Sequence, residues 1–536
     1  MEFIDLIRTP NIDGVRLLDK NGQVDCQGKI AITGHQLLFV AREKELIMDH
    51  KMVDAVEKDT DKGRNLVKMR QKNGKMVRFL LNSQGEADDL CTSVQLCGMI
   101  KFTDTHPFYF NPPRSYEQLT KPNVLGTQAW FATLRNKRWR LFEKNQNFEV
   151  CPTYPKFVVV PAAVKDDLIV KSAKFRDGAR FPILSALIAV GEQKQKIHNP
   201  LLRCSSIGFM EARNKQDEEI LRLISNGQKS VLIDIRSKSM ITELKNKRKG
   251  IETDSYYPLY KKEYPDLMNR YSVHNSFCKA WEAMSSKSDD FLDKLRKSGW
   301  LAAVDTTLWV ASLTAQAVRQ APVIVHGGDG IDMTLVVTSL TQIILLPEAR
   351  TLVGLLSIIQ REWIEAGHPF FERHQRSAWT QKNAITGQEG STFFLFLHAI
   401  QHLLLTHPLH FEFNSSFLLR LHDIAVSSEF GNFIGDNEKE RARAGVANKT
   451  YSVWPVLASE ESFKNPLFGE TQMKPAWPLG PSDLWRQYWC RFQRASSTQK
   501  DDIFDLQMAS LKKLKTENEA LKLRMTELAQ LQRAAR

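Results

Sequence analysis

The sequence has few cysteines, and their spacing differs from that of disulfide frameworks and zinc sites. Seven cysteines occur among 536 residues, which is an odd number, and none of them forms a Cys-x-x-Cys pair. This pattern excludes a small disulfide-stabilised secreted domain and favours a reducing cytoplasmic environment. Histidines and carboxylates do not complete a metal-binding motif, so we predict neither a metal nor another cofactor.

The sequence also lacks an uninterrupted apolar run of about 20 residues, the length that crosses a bilayer. The longest apolar segment, 393–405, is interrupted by two histidines and a glutamine. The first apolar residues are accompanied by Glu2 and Asp5, which differs from a secretory signal. Any membrane contact is therefore predicted to be peripheral.

The sequence has fewer acidic than basic residues. It contains 61 Asp and Glu and 74 Lys and Arg, so its net charge is +13. Such a charge favours an anionic partner, either nucleic acid or an anionic lipid surface. Basic clusters occur at 135–140 and 245–249, but no recognition-helix, zinc-finger or RNP-like pattern accompanies them. We therefore predict no nucleic-acid partner, and a phosphoinositide surface or simple solubility explains the charge.

The most informative feature is the loop His326-Gly327-Gly328-Asp329-Gly330-Ile331-Asp332-Met333-Thr334. A β-type apolar run, 321–325, precedes this loop, and a long apolar run suited to a helix, 335–346, follows it. A strand, a glycine-rich loop and a helix N-terminus together bind phosphate through backbone N–H groups. A cysteine phosphatase also needs a thiolate to attack phosphorus and an arginine to clamp its oxygens. This loop contains neither, which predicts a non-catalytic relative of an enzyme, without catalytic residues.

The loop resembles, without a gap, the myotubularin phosphatase motif V-H-C-S-D-G-W-D-R-T. Gly327 stands at the position of the cysteine, and Met333 stands at the position of the arginine. The matching residues are Val325, His326, Asp329, Gly330, Asp332 and Thr334. Further family blocks follow in the family's order, among them Ser298-Gly299-Trp300-Leu301, Gly367-His368-Pro369-Phe370 and Phe411-Glu412-Phe413-Asn414. The resemblance covers nearly the whole chain and points to an inactive branch of the family.

The resemblance implies an α/β cysteine-phosphatase fold that has lost its reaction. In members that keep the motif, the cysteine attacks the D3 phosphate of phosphatidylinositol 3-phosphate or of the 3,5-bisphosphate. Asp332 matches the loop aspartate that donates a proton there, but without a nucleophile it has no leaving group to protonate. We also expect Asp329 and Asp332 to repel a phosphate, because no arginine offsets their charge. A residually active phosphatase with another nucleophile is the alternative among enzymes.

The chain is too long for one core, and its patterns predict a multidomain α+β protein. Residues 1–100 contain short strand candidates, a hairpin signal at Asn73-Gly74 and a closing helix, and they resemble the PH-GRAM-like β-barrel that opens myotubularins. Prolines in 101–128 predict a linker. Residues 129–496 are predicted to form the inactive α/β phosphatase-like domain. Two roles of the first domain stay open: contact with lipid, or packing against the next domain alone.

Residues 501–536 show a heptad pattern typical of a short coiled coil. Asn518 at a core position costs stability but favours one register. The alternative is an amphipathic helix that packs on its own domain. The predicted dimerisation residues are Leu511, Leu514, Asn518, Leu521, Met525 and Leu528.

Two other residue pairs are candidates for chemistry. His274 and Cys278 lie four residues apart on a predicted helix, and a histidine can activate a thiol. No oxyanion loop or orienting third group accompanies them, so we favour ordinary helix neighbours. His398 and His402 share a helix face but lack the glutamate of the zincin motif, which predicts ordinary core or surface histidines. His368 matches a family position and is predicted to be structural.

Together with the missing chemistry and the predicted coiled coil, the family resemblance implies a regulatory subunit. By the resemblance, its partner is an active myotubularin phosphatase, whose stability, activity and endosomal placement it affects. The chain itself is then cytoplasmic and peripheral on endosomal or other endomembranes. A homodimer and a weak phosphoinositide contact stay open. A lipid-binding adaptor that needs no enzyme partner is the alternative from the binding class.

Overall fold

The structure is a computed structural model in which a β-sheet region precedes a larger α/β region. The predicted coiled coil at 501–536 lies outside the described residues and stays a prediction. The structure describes residues 3–19, 21–59, 65–98, 114–191, 197–208, 213–247, 250–285, 291–374, 388–427, 430–469 and 481–491.

The first region is a seven-stranded antiparallel sheet with the strand order β4-β3-β2-β1-β7-β6-β5. Alternate residues along each strand face the core, as Val67 and Met69 do in β6, where they pack with Phe79 of β7. The strands are β1 (Asn11–Leu18), β2 (Val24–Ile32), β3 (Gln36–Ala41), β4 (Glu45–Asp49), β5 (Val53–Asp59), β6 (Leu66–Gln71) and β7 (Met76–Leu80).

The predicted hairpin at Asn73-Gly74 is confirmed, because it joins β6 to β7 and Gly74 adopts a left-handed φ of +88°. The helix α1 (Gln84–Gly98) follows, and Leu90 and Val94 bury its apolar face in the core of the sheet. β4 and β5 are the edge strands of this series. An antiparallel sheet region is therefore present, while closure into a PH-GRAM-like barrel stays a prediction.

The second region contains a two-stranded sheet, β8-β9, and a five-stranded sheet with the order β10-β11-β14-β12-β13. In the larger sheet β10 is antiparallel to β11, whereas the other neighbours are parallel. The strands are β8 (Trp139–Phe142), β9 (Val158–Pro161), β10 (Ile183–Val190), β11 (Ile197–Cys204), β12 (Ser230–Asp234), β13 (Tyr260–Glu263) and β14 (Val323–His326).

Helices connect and cover these strands, as the predicted alternation of strands and helices requires. They are α2 (Arg114–Glu117), α3 (Thr127–Leu134), α4 (Asp166–Phe175), α5 (Lys215–Ser225), α6 (Lys238–Lys247), α7 (Arg270–Ser285), α8 (Phe291–Ser298), α9 (Trp300–Val318), α10 (Met333–Leu345), α11 (Leu352–Ile359), α12 (Phe370–Arg373), α13 (Thr392–Thr406), α14 (Ser415–Val426), α15 (Glu438–Ala444), α16 (Val446–Lys449), α17 (Trp454–Ser459) and α18 (Arg486–Trp489).

The five-stranded sheet is covered on both faces. Ile233 and Val325 point to one face and pack in the same core as residues of α9, α10 and α13. Leu232 and Ile324 point to the other face and pack with residues of α4 and α5. Because both faces are covered, residues 231–233 of β12 and 323–325 of β14 are continuously apolar.

The helix α9 is long and apolar enough to cross a membrane by length and composition alone, although the sequence analysis named no such segment. However, 56% of its apolar window is buried inside the structure. Its side chains, including Val304 and Leu308, belong to the main core. A helix buried in a protein core can be as long and as apolar as a membrane-spanning helix. Burial therefore explains the apolar character of α9.

Residues 114–128 of the predicted linker, the part that the structure describes, contact the second region. α2 forms one helical turn at 114–117, although the prolines predict no regular structure there. The backbone N–H of Leu125 donates to Ser357 Oγ at 3.0 Å. The N–H of Thr127 donates to Glu365 at 2.8 Å. These contacts correct the prediction, because tertiary hydrogen bonds hold a segment that its composition leaves irregular.

The two regions contact each other at the β6–β7 turn. An added Cβ on Gly74 would lie 3.0 Å from Cη2 of Trp281 in α7. Arg491 donates to the carbonyl of Asn73 at 3.3 Å and also pairs with Asp423. The turn therefore packs directly against the α/β region.

Candidate functional site

The glycine-rich loop lies at the C-terminal edge of the parallel strands. Cys204 and Asp234, the last residues of β11 and β12, both pair with His326, the last residue of β14. The loop follows, and α10 begins at Met333. This edge is where open α/β sheets bind their ligands. The predicted strand, loop and helix are thus confirmed.

The loop backbone is held by its neighbours. The carbonyl of Gly328 accepts hydrogen bonds from Ser206 N at 2.9 Å and from Ser206 Oγ at 3.0 Å. Gly330 has a φ of +73°, and an added Cβ would lie 2.7 Å from the carbonyl oxygen of Cys204. Arg180 donates to the carbonyl of Gly330 at 3.1 Å. Glycine at position 330 thus serves both the backbone conformation and a close approach.

The two positions that carry the chemistry of the motif are apolar. Gly327 has no side chain. Met333 is 7% exposed and belongs to the main hydrophobic core. The loop therefore offers neither a nucleophilic atom nor a guanidinium at these positions, as the sequence predicts.

Asp332 is buried and paired, which corrects one expectation. Arg373 donates to its carboxylate from Nε at 3.1 Å and from Nη2 at 2.9 Å, and Thr392 Oγ1 donates at 3.0 Å. Arg270 Nε lies 3.7 Å away. Burial raises the pKa of Asp332, but Arg373 and His368 lower it more, so the net pKa is lowered. The expectation that no arginine offsets this charge is wrong, because the guanidinium groups come from α7 and α12, outside the motif.

The remaining loop residues make local contacts. Asp329 is exposed, and its Oδ1 accepts the N–H of Ile331 at 3.2 Å. Thr334 Oγ1 donates to the carbonyl of Gly327 at 3.5 Å. His368 Nδ1 lies 2.9 Å from the carbonyl oxygen of Ile331, and burial lowers the pKa of His368 to about 4. A neutral His368 therefore supports the loop, in agreement with its predicted structural role.

The similarity of the chain to known proteins identifies its family. The family model for the myotubularin-like phosphatase domain matches residues 103–442. The chain belongs to the myotubularin family. The match begins inside the predicted linker, in keeping with the hydrogen bonds that join residues 125–127 to the α/β region.

Relatives in this family match along most of the chain. Myotubularin-related protein 9 of Mus musculus is 32% identical over 514 residues, covering 92% of this chain and 93% of that protein. The Caenorhabditis elegans protein of the same name is 31% identical over 540 residues, covering 93% of this chain and 92% of that protein. The phosphatidylinositol-3,5-bisphosphate 3-phosphatase MTMR6 of Homo sapiens is 30% identical over 513 residues, covering 91% and 81%.

Beneath the loop of this myotubularin lies a buried ionic network that the sequence analysis missed. His326 Nε2 lies 3.3 Å from Glu252 Oε2, and His326 Nδ1 lies 4.0 Å from Asp234 Oδ1. Burial raises the pKa of Glu252, but His326 and Arg176 lower it more. Arg176 also pairs with Asp217. The five residues of this network come from five separate segments of the chain, so no local sequence pattern indicates it.

The atoms of Asp234, Glu252 and His326 lie within 4.8 Å of one another and include the donor types that bind metals. However, Arg236 donates to both carboxylate oxygens of Asp234, and Arg176 donates to Glu252 at 3.2 Å. These guanidinium groups already supply the positive charge that the carboxylates require. We therefore interpret the cluster as an ionic network that supports the β14 end of the myotubularin loop.

The His274–Cys278 pair is in contact but is not activated. Cys278 Sγ lies 3.6 Å from His274 Nε2, and His274 Nδ1 lies 2.9 Å from Ser391 Oγ. Burial raises the pKa of Cys278 to about 12 and lowers that of His274 to about 4. A thiol with so high a pKa is a poor nucleophile. The preference for ordinary helix neighbours is thus supported.

His398 is a core residue of α13. Its Nδ1 accepts a hydrogen bond from Trp300 Nε1 at 2.9 Å, and its Nε2 lies 3.0 Å from the carbonyl oxygen of Asp483. Both ring nitrogens therefore have polar partners within the protein, which supports the prediction of a core or surface histidine, and burial makes it a core one. His402 is also buried in the same helix.

Proposed function

We propose that this chain is a catalytically inactive myotubularin that acts as a regulatory or adaptor subunit of an active 3-phosphoinositide phosphatase. The observation that carries this proposal is Gly327 at the nucleophile's position, beside a buried Met333 at the position of the arginine. Removing a nucleophile costs an enzyme on the order of 10⁶ in kcat. A relative at 30% identity is named as a phosphatidylinositol-3,5-bisphosphate 3-phosphatase, which indicates the chemistry of the partner.

The proposed partnership runs through the predicted coiled coil at 501–536. Its apolar positions repeat every 3.5 residues, the spacing with which two helices pair along a seam. Pairing would change the stability, activity and endosomal placement of the partner, and this chain would be cytoplasmic and peripheral on endosomal or other endomembranes. A homodimer through the same seam is the competing assembly.

The test compares two variants of the full chain in cells. Leu514→Pro with Leu521→Pro should abolish co-purification with the active phosphatase, because each proline costs a helix about 3 kcal/mol. Lys245→Glu with Lys247→Glu is the control, since it changes surface charge and leaves the seam intact. Pairing that survives the prolines but is lost in the charge variant would place the interface on the α/β region.

A second candidate function is a self-contained phosphoinositide-binding adaptor. The observation that favours it is the pairing of Asp332 with Arg373 and Arg270, which removes one source of repulsion for a phosphate. Binding of the full chain to vesicles that contain phosphatidylinositol 3-phosphate should then survive deletion of 501–536. Loss of vesicle binding together with loss of the partner would favour the regulatory subunit.

A further inference from the structure

Ile235 and Gly327 are neighbours across two parallel strands. Asp234 and His326 are paired in register at the ends of β12 and β14, and the next residues are Ile235 and Gly327. The N–H of Ile235 donates to the carbonyl of His326 at 2.9 Å. Ile235 belongs to the main core, on the sheet face to which Ile233 and Val325 also point. The two positions therefore share one side of the sheet.

The space beside Gly327 is filled by Ile235. An added Cβ on Gly327 would lie 2.4 Å from Cγ1 and 3.1 Å from Cδ1 of Ile235. Carbon atoms in favourable contact lie about 3.5–4.0 Å apart. Ile235 is only 4% exposed, and its branched Cβ makes the side chain stiff. A side chain at position 327 therefore requires Ile235 to move within a packed core.

The backbone at position 327 does not itself require glycine. Gly328 and Gly330 have positive φ values of +51° and +73°, whereas Gly327 is absent from the left-handed region. At position 327 only steric crowding opposes a side chain, whereas at positions 328 and 330 the backbone conformation opposes one.

We propose that Ile235 occupies the space that a nucleophilic side chain at position 327 would need. Ile235 is then a third determinant of the lost activity, beside Gly327 and Met333. The link between Ile235 and lost activity rests on the proposed function. The steric conflict between Ile235 and a side chain at position 327 does not depend on it. It predicts that the loop accepts a thiol only when Ile235 is shortened.

A thermal-stability cycle tests the steric content. Gly327→Ala should lower the Tm of the full chain by several degrees, because it overpacks the core. The double variant Gly327→Ala with Ile235→Ala should lose less Tm than the sum of the two single losses. The shortened residue 235 leaves space for the new Cβ at position 327. Gly85→Ala is the control, because an added Cβ there meets no atom within 4 Å. An unchanged Tm for Gly327→Ala, or strictly additive losses, would overturn the proposal.

A gain-of-function comparison tests the catalytic consequence. Gly327→Cys, Gly328→Ser and Met333→Arg are combined in one variant, with and without Ile235→Ala, and phosphate release from phosphatidylinositol 3-phosphate is measured. Release at least tenfold faster with Ile235→Ala supports the proposal, and equal measurable rates overturn it. Release by the unaltered chain would instead refute the proposed inactivity, and the stability cycle would still decide the steric claim.

Discussion

Arg373 donates two hydrogen bonds to Asp332 and so joins the end of α12 to the residue that precedes α10. Both side chains are almost fully buried. In the family resemblance Asp332 matches a proton donor, but here its carboxylate is engaged by guanidinium and hydroxyl groups. Asp332 therefore links α12 to the start of α10, although the loop has no cysteine.

Removing Arg373 should destabilise the α/β region. Arg373→Ala leaves a buried carboxylate with fewer partners, which costs about 3 kcal/mol or more. Urea denaturation measures the loss. Arg222→Ala is the control, because its pair with Glu219 is exposed and solvent screens such pairs. Equal midpoints for the two variants would show that the buried pair contributes no more than a surface pair.

Stability should fall as the pH drops from 6.5 toward 4, in part through His398. Burial lowers its pKa to about 4 from the ordinary 6.5, so the unfolded chain binds more protons between these values. The stabilisation is complete above pH 6.5 and lost as the pH falls, by up to about 3 kcal/mol. His398→Gln should flatten urea-midpoint profiles across this window, and the exposed His198→Gln is the control. Parallel profiles for His398→Gln and the unaltered chain would contradict the prediction.

Cys278 should resist alkylation in the folded protein. It is 1% exposed, and burial raises its pKa to about 12, so little thiolate forms at neutral pH. Iodoacetamide labelling followed by mass spectrometry should modify Cys278 only after addition of urea. Cys26, which is partly exposed, is the internal comparison. Rapid labelling of Cys278 without denaturant would revive the His274–Cys278 pair as a reactive site.

Gly74→Ala should weaken the packing between the two regions. Gly74 and Gly22 both adopt left-handed φ values, +88° and +79°, so alanine is strained at either position by about 1 kcal/mol. Only at Gly74 would the new Cβ also meet Trp281, at 3.0 Å. Limited proteolysis and urea denaturation should therefore show a larger effect for Gly74→Ala than for the control Gly22→Ala. Equal effects would mean that Trp281 can move aside without a loss of stability.

Local sequence was sufficient to predict the loop and the strand and helix that flank it. The residues of the motif are contiguous, so the strand, loop and helix around His326–Thr334 follow from apolar runs and glycine spacing. The hairpin at Asn73-Gly74 was equally predictable, because turn type depends on those two residues. The absence of a thiol and an arginine from the motif is read directly from the sequence.

By itself, then, the sequence determined the family, the position of the loop and the absence of a cysteine and an arginine from the motif, since each rests on neighbouring residues. Only the tertiary structure decided what surrounds them: Arg373 on Asp332, Glu252 beside His326 and Ile235 against Gly327. These partners come from distant segments, and strand register and helix packing bring them together. The motif alone predicted wrongly that no arginine offsets the charge of Asp332, because the sequence does not state which arginine a buried carboxylate will meet.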